Sequence, residues 1–148
     1  MSMTPGKEVI TDITSFGGMP IFLVAIFLFY FADQTMMWRL IAAIIVAYVV
    51  TIAIRAVYFK RRPDKSKVHT AVDRIAQSSF PSLHAMRSTI LAILVMMFYQ
   101  HPAVYVVGIS IIVVTGFSRV FLKRHDSVDV IAGTIIGVLI SAGAFLFV

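Results

Sequence analysis

Three short stretches combine, at telling spacings, side chains able to grip an anion or move a proton. The first is Arg55-Ala56-Val57-Tyr58-Phe59-Lys60-Arg61-Arg62-Pro63. Arg55 and Arg62 lie about two helical turns apart, so they share nearly one face. Two guanidiniums aimed at one point bind a tetrahedral oxyanion through forked, charge-assisted hydrogen bonds. Pro63 would end such a helix just after Arg62. Lys60 and Arg61 read as interfacial charges. The second stretch is Ser79-Phe80-Pro81-Ser82-Leu83-His84, directly before an apolar run. Pro81 and Ser82 suit a first helical turn, where open N–H groups and the helix dipole attract anions. His84 adds an acid or base poised near neutral pH.

The third stretch runs from Ser118-Arg119 to His125-Asp126-Ser127-Val128-Asp129. If a helix begins near His125, Asp129 sits one turn on, on the same face. A carboxylate there can fix one imidazole nitrogen as N–H and leave the other free to attack. Asp126 is nearer in sequence but would point elsewhere. Each stretch taken alone has a plainer reading. Arginines at helix ends snorkel to a membrane interface, Ser82 could simply cap a helix, and residues 118–129 could be a solvated charged loop.

Composition says what must position these residues. Of 148 residues, 59% are hydrophobic and 14% charged, more apolar surface than a soluble domain of this size can hide. A hydrocarbon core about 30 Å thick needs roughly 20 apolar residues in a helix. Trp38–Phe59 and Val128–Val148 have that length. Phe16–Ala32 is slightly short, and His84–Tyr99 and Pro102–Phe117 are shorter runs that suffice inside a bundle. The expected fold is all-α: an integral membrane bundle of about five transmembrane helices, a single domain over 1–148. A short interfacial segment, Lys7–Ser15, precedes it. With five spans, the 60–80 and 118–126 loops emerge on one side, and all three stretches face one surface.

Nearly all Lys and Arg fall within Arg55–Arg87 or Arg119–Arg124, giving most of the +6 net charge. Such basic patches suit nucleic acid, anionic headgroups or a phosphate substrate; so apolar a chain argues against nucleic acid. No cysteine is present, which removes thiolate metal sites and disulfides. No Asp/Glu cluster has the pattern of a metal site.

Taken together, Arg55-x6-Arg62-Pro63, Pro81-Ser82-x-His84 and Ser118-Arg119-x5-His125-x3-Asp129 resemble the three signature motifs of the type 2 phosphatidic acid phosphatase (PAP2) superfamily. That family includes bacterial polyprenyl diphosphatases and vanadium haloperoxidases. The resemblance implies a phosphatase of lipid-linked phosphates or diphosphates, polyprenyl diphosphate favoured, with no cofactor and no metal. It implies His125 as nucleophile, Asp129 orienting it, and His84 protonating the departing oxygen and then activating water. Arg55, Arg62, Ser82, Leu83 and Arg119 would hold the phosphate, Leu83 through its backbone N–H. The site would lie at the membrane–water boundary, in the cell membrane, facing outward by family habit although basic loops favour the cytoplasm. This sequence departs from the usual pattern at Arg55, where Lys is common, and at Leu83, where Gly is common. Lys123 and Arg124 add charge beside the nucleophile, and members usually have six spans. The non-enzymatic alternative is a membrane protein whose basic face binds anionic headgroups.

Overall fold

A computed structural model describes residues 17–61, 75 and 77–148. The expected interfacial segment Lys7–Ser15 lies outside them, as do Arg62 and Pro63. Among the described residues five long helices follow one another: α1 Met19–Ala32, α2 Gln34–Val57, α3 Leu83–Tyr99, α4 Pro102–Phe121 and α5 Ser127–Phe147. No strand occurs among the described residues. The protein is all-α, and α2, α4 and α5 are long and apolar enough to cross a membrane. Helix α1 and helix α3 are shorter apolar helices.

Local chemistry sets the helix ends. Pro20 stands in the first turn of α1, where a missing N–H costs nothing. Asp33 is extended, ends α1 and immediately caps α2, its Oδ1 accepting from the Met36 N–H at 2.6 Å. One residue thus reverses the chain, which is why α2 begins four residues before the apolar run starting at Trp38. Gln100, left-handed at φ 45°, closes α3, and Pro102 opens α4. Helix α4 runs on to Phe121, past the expected end at Phe117, because Ser118 and Arg119 pair their backbone as a further helical turn.

Helix α3 is the axis. It packs against α2, α4 and α5, while α1 leans on α2. Leu40, Ala47, Met86, Ile90, Leu94 and Phe22 form the inner contacts. The outward faces carry Phe27, Phe31, Val49, Val106, Leu139 and other large apolar side chains, all exposed. Water would not tolerate such a surface; lipid does. Several buried hydroxyls bond back onto their own helices, Thr89 to the Ala85 carbonyl and Ser141 to the Gly137 carbonyl, each at 2.8 Å. That satisfies them without a partner helix.

Two glycines decide how closely α5 approaches α3. A Cβ at Gly133 would collide with the Ser82 carbonyl oxygen, and one at Gly137 would stand 2.9 Å from the Met86 carbonyl oxygen and Thr89 Cβ. Their absence lets the first turns of α3 and α5 meet. The Ser82 N–H donates to the Asp129 carbonyl at 3.0 Å and locks that meeting. The second and third motifs therefore end at one place.

Candidate active site

The third motif is built by a reversal after α4. The N–H groups of Arg124 and His125 both donate to the Arg119 carbonyl, at 3.1 and 3.2 Å, and Lys123 takes φ 55° to make the turn. This folds His125 inward, where it is 4% exposed. Its Nδ1 lies 2.8 Å from the Ser79 carbonyl oxygen. A carbonyl can only accept, so Nδ1 carries the proton and Nε2 presents its lone pair. Asp129, fully buried, has Oδ2 at 3.7 Å from the same nitrogen. That is too long for a hydrogen bond but short enough for its charge to act on the ring. The tautomer-fixing contact expected from Asp129 is thus made by Ser79, because the Asp129 oxygens are engaged elsewhere. Oδ2 accepts from the Asp126 N–H at 3.1 Å, and Oδ1 accepts from Lys60 Nζ at 2.7 Å.

Lys60, read from sequence as an interfacial charge, belongs to this cluster. Its ammonium bridges Asp129 and Asp126, the latter at 3.0 Å. Partial burial alone would lower its pKa; the hydrogen bonds and charges of Asp129 and Asp126 outweigh that and hold it above the usual lysine range. Its own backbone is fixed too, since the Lys60 carbonyl accepts from the Ser79 N–H at 2.8 Å. Lys60 and Ser79 are the two site residues the motif spacing did not single out. A hint was present: Lys60 lies in the basic run before Pro63, and Ser79 directly precedes the Phe80-Pro81-Ser82 turn.

Arg55, in the last turn of α2, is 7% exposed. One terminal nitrogen donates to the Pro81 carbonyl at 3.0 Å, the other to the Ile75 carbonyl at 3.3 Å. The first bond straps the second motif to α2, and the second holds the chain just ahead of that motif. Ser82 caps α3, its hydroxyl oxygen accepting weakly from the Ala85 N–H at 3.5 Å. Leu83 is the first residue of α3, so its N–H belongs to the turn that a helix leaves open. Arg119 stands in the last turn of α4 at the same end of the bundle. His84 follows Ser82 by two positions, and its Nδ1 lies 3.4 Å from a terminal nitrogen of Arg87. Arg87 in turn donates to the Tyr48 hydroxyl of α2 at 3.0 Å. The structure therefore gathers Arg55, Ser82, Leu83, His84, Arg119, His125 and Asp129 at one end. The opposite end holds Arg39, stacked 4.4 Å over the Phe145 ring.

The sequence pattern of the PAP2 superfamily matches residues 36–148. The chain belongs to the PAP2 superfamily. Undecaprenyl-diphosphatase BcrC of Bacillus subtilis is 32% identical over 108 residues, 72% of this chain. The chain spans about half, 51%, of that relative's length. Among solved structures, Aquifex aeolicus LpxE superposes with a TM-score of 0.82 at 16% identity, covering 99% of this chain and 89% of LpxE. A transmembrane PAP2-type phosphatidylglycerolphosphate phosphatase from Bacillus subtilis gives 0.78 at 24% identity, over 98% of this chain and 78% of its own. At such identities the two structures establish the fold. As a PAP2 member with three helices suited to cross a bilayer, this is an integral membrane protein.

Within the PAP2 pattern, the three motif regions converge here by backbone as much as by side chain. Arg55 ties the first to the second, and Ser79 and Ser82 tie the second to the third through His125 and Asp129. No group of three or more His, Cys, Asp or Glu side chains gathers as a metal site among the described residues.

Proposed function

We propose that this chain is a membrane-embedded lipid phosphatase that cleaves a lipid diphosphate or phosphomonoester, polyprenyl diphosphate favoured, through a phosphohistidine. The observation that carries the reading is His125. A buried imidazole has Nδ1 on a backbone carbonyl, which places its lone pair on Nε2, and a buried carboxylate lies 3.7 Å from Nδ1. Such a ring is a nucleophile by construction.

Nε2 of His125 attacks phosphorus as the bond to the departing oxygen breaks. The phosphorylated ring becomes cationic, and the Asp129 charge steadies it. His84 serves the departing oxygen. Water then cleaves the P–N bond; both its hydrogens leave on dihydrogen phosphate, and His125 returns to its Nδ1–H form. Arg119, Arg62, Arg55, the Ser82 hydroxyl and the Leu83 N–H are the groups we assign to the phosphate oxygens. Phosphoryl transfer is largely positioning and charge stabilisation, which the cationic end of the bundle provides. The lipid tail remains among the exposed apolar faces, with all five helices spanning the cell membrane and the site at its outer boundary.

The test is a phosphate-release screen of the detergent-solubilised chain against polyprenyl diphosphate, phosphatidic acid and phosphatidylglycerol phosphate. Release is expected to persist in EDTA and to be inhibited by vanadate. Loss in EDTA with recovery on adding magnesium would refute a charge set made of side chains alone. A chain that binds these lipids but releases no phosphate would instead be a headgroup binder.

A further inference from the structure

Arg87 has no place in the motifs, yet it is one of the charged side chains that the bundle buries. It lies in the second turn of α3, 6% exposed, next to the apolar core residue Met86. Its Nε is buried with no hydrogen-bond partner. A cation so placed inside a membrane helix is expensive and marks function more often than packing. The two contacts it makes are specific. One terminal nitrogen donates to the Tyr48 hydroxyl at 3.0 Å, and that hydroxyl points on to the Met19 sulfur at 3.9 Å. The other terminal nitrogen faces His84 Nδ1 at 3.4 Å.

Guanidinium has donors and no acceptor. The imidazole nitrogen facing it must therefore present a lone pair, which leaves the His84 proton on Nε2. A second proton on Nδ1 would set N–H against N–H. With Nδ1 facing the guanidinium, His84 offers its Nε2–H to the departing oxygen, and the doubly protonated imidazolium that would hand a proton over is disfavoured. The two substrate classes need different things here. When a diphosphate is cleaved, the leaving group is a lipid phosphate, whose last proton has a pKa of about 6. It departs as the dianion and needs only a hydrogen bond. When a phosphomonoester is cleaved, the leaving group is an alkoxide, a base of about the strength of hydroxide. It needs a proton delivered.

We infer that Arg87 is a positioning residue that holds His84 as an Nε2–H donor and thereby commits the enzyme to phosphoanhydrides over phosphomonoesters. This rests on the phosphatase reading above and narrows the acid–base role that the family resemblance implies for His84. In the anhydride reaction the His125–P bond forms as the P–O–P bridge breaks on the His125 side. The bridging oxygen leaves on the lipid phosphate with both bonding electrons, and no proton changes hands.

The experiment compares farnesyl diphosphate with farnesyl monophosphate on the full chain, so that tail and detergent are constant. Wild type is expected to favour the diphosphate by at least about 10²-fold in kcat/KM, the lower range of what a proton donor contributes. In Arg87→Gln that ratio should shrink by about tenfold or more, because Nδ1 is then free to take a proton, with Arg87→Lys intermediate. A purely structural residue would lower both rates together and leave the ratio alone; that result overturns the inference. Should the variants fail to fold, wild type alone decides it. Across soluble phosphates graded from nitrophenyl to alkyl leaving groups, its rate should fall steeply as the leaving group becomes more basic, and a flat series refutes the proposal. Equal cleavage of both farnesyl substrates sinks this inference and leaves the phosphatase reading standing. Release from neither sinks both.

Discussion

The two histidines at the cationic end sit in opposite surroundings. His125 is turned inward by the loop after α4, and its Nδ1 faces a carbonyl oxygen, that of Ser79. His84 stands in the first turn of α3, and its Nδ1 faces a guanidinium, that of Arg87. One neighbour can only accept and the other can only donate, so the two rings carry their proton on opposite nitrogens. At Nε2 one ring is a lone pair and the other an N–H. Under the proposed function the same side chain serves as nucleophile in one place and as hydrogen-bond donor in the other, and the neighbour at Nδ1 is what distinguishes them.

The largest effect should come from erasing the nucleophile. His125→Ala is expected to reduce phosphate release from farnesyl diphosphate by about 10⁴-fold or more, since residues that act as one covalent unit lose nearly everything with one member. His84→Ala should cost less on the same diphosphate, nearer the lower end of about 10²–10⁴, because an anhydride asks only for a hydrogen bond. Equal losses in the two variants would break the comparison, for they would make both rings indispensable in the same way. Lipid binding measured beside activity separates lost chemistry from lost fold.

Next in size is the spacing between the two rings' supports. Gly133→Ala places a methyl group against the Ser82 carbonyl oxygen, backbone that cannot swing aside. The first turns of α3 and α5 must then part, and the Ser82–Asp129 backbone bond stretches. A shift near 1 Å at a reacting centre can cost about 10²-fold, with overpacking lowering stability by about 1–3 kcal/mol. Gly143 is the control, since a Cβ there meets nothing within 4 Å. Gly143→Ala should keep both activity and melting temperature, and a parallel loss there would show that glycine content, rather than the α3–α5 approach, governs the result.

How much of this was legible in the residues follows from the range of each signal. The five helices were readable because lipid demands long apolar runs, and their breaks fall at Asp33, Gln100 and the basic loops. The co-location of His84, His125 and Asp129 was readable from motif spacing plus helix parity. What the spacing could not tell is where a polar atom goes once several partners compete for it. Asp129, one turn beyond His125, was the natural partner for its Nδ1, yet Lys60 and the Asp126 N–H claim its oxygens and Ser79 takes the imidazole. Arg55 was readable as an anion ligand, and its two terminal nitrogens are found on the Pro81 and Ile75 carbonyls. Backbone carbonyls have no signature in sequence. Arg87 was invisible for a related reason: it stands one turn past a motif, and its meaning depends on which imidazole nitrogen it meets.

Lys60 gives the smallest effect and the sharpest test of the His125 side. Its ammonium bridges Asp126 and Asp129, so Lys60→Met should leave the buried carboxylate without its nearest cation. Asp129 would then be drawn toward His125 Nδ1 in competition with Ser79. Activity is expected to drop about tenfold, a loss worth about 1.4 kcal/mol of transition-state stabilisation, with Lys60→Arg recovering most of it. Stability should report the same bridge. The folded protein holds the Lys60 pKa above its unfolded value, net of the burial that opposes this. The bridge therefore contributes fully below the ordinary lysine pKa, and its contribution is lost as pH rises through the raised folded value. Melting temperature followed from neutral into strongly alkaline solution should fall more steeply in wild type than in Lys60→Met, the two curves converging at the alkaline end. Curves that run parallel throughout would mean that the bridge adds nothing, and that Ser79 alone keeps the His125 proton where it is.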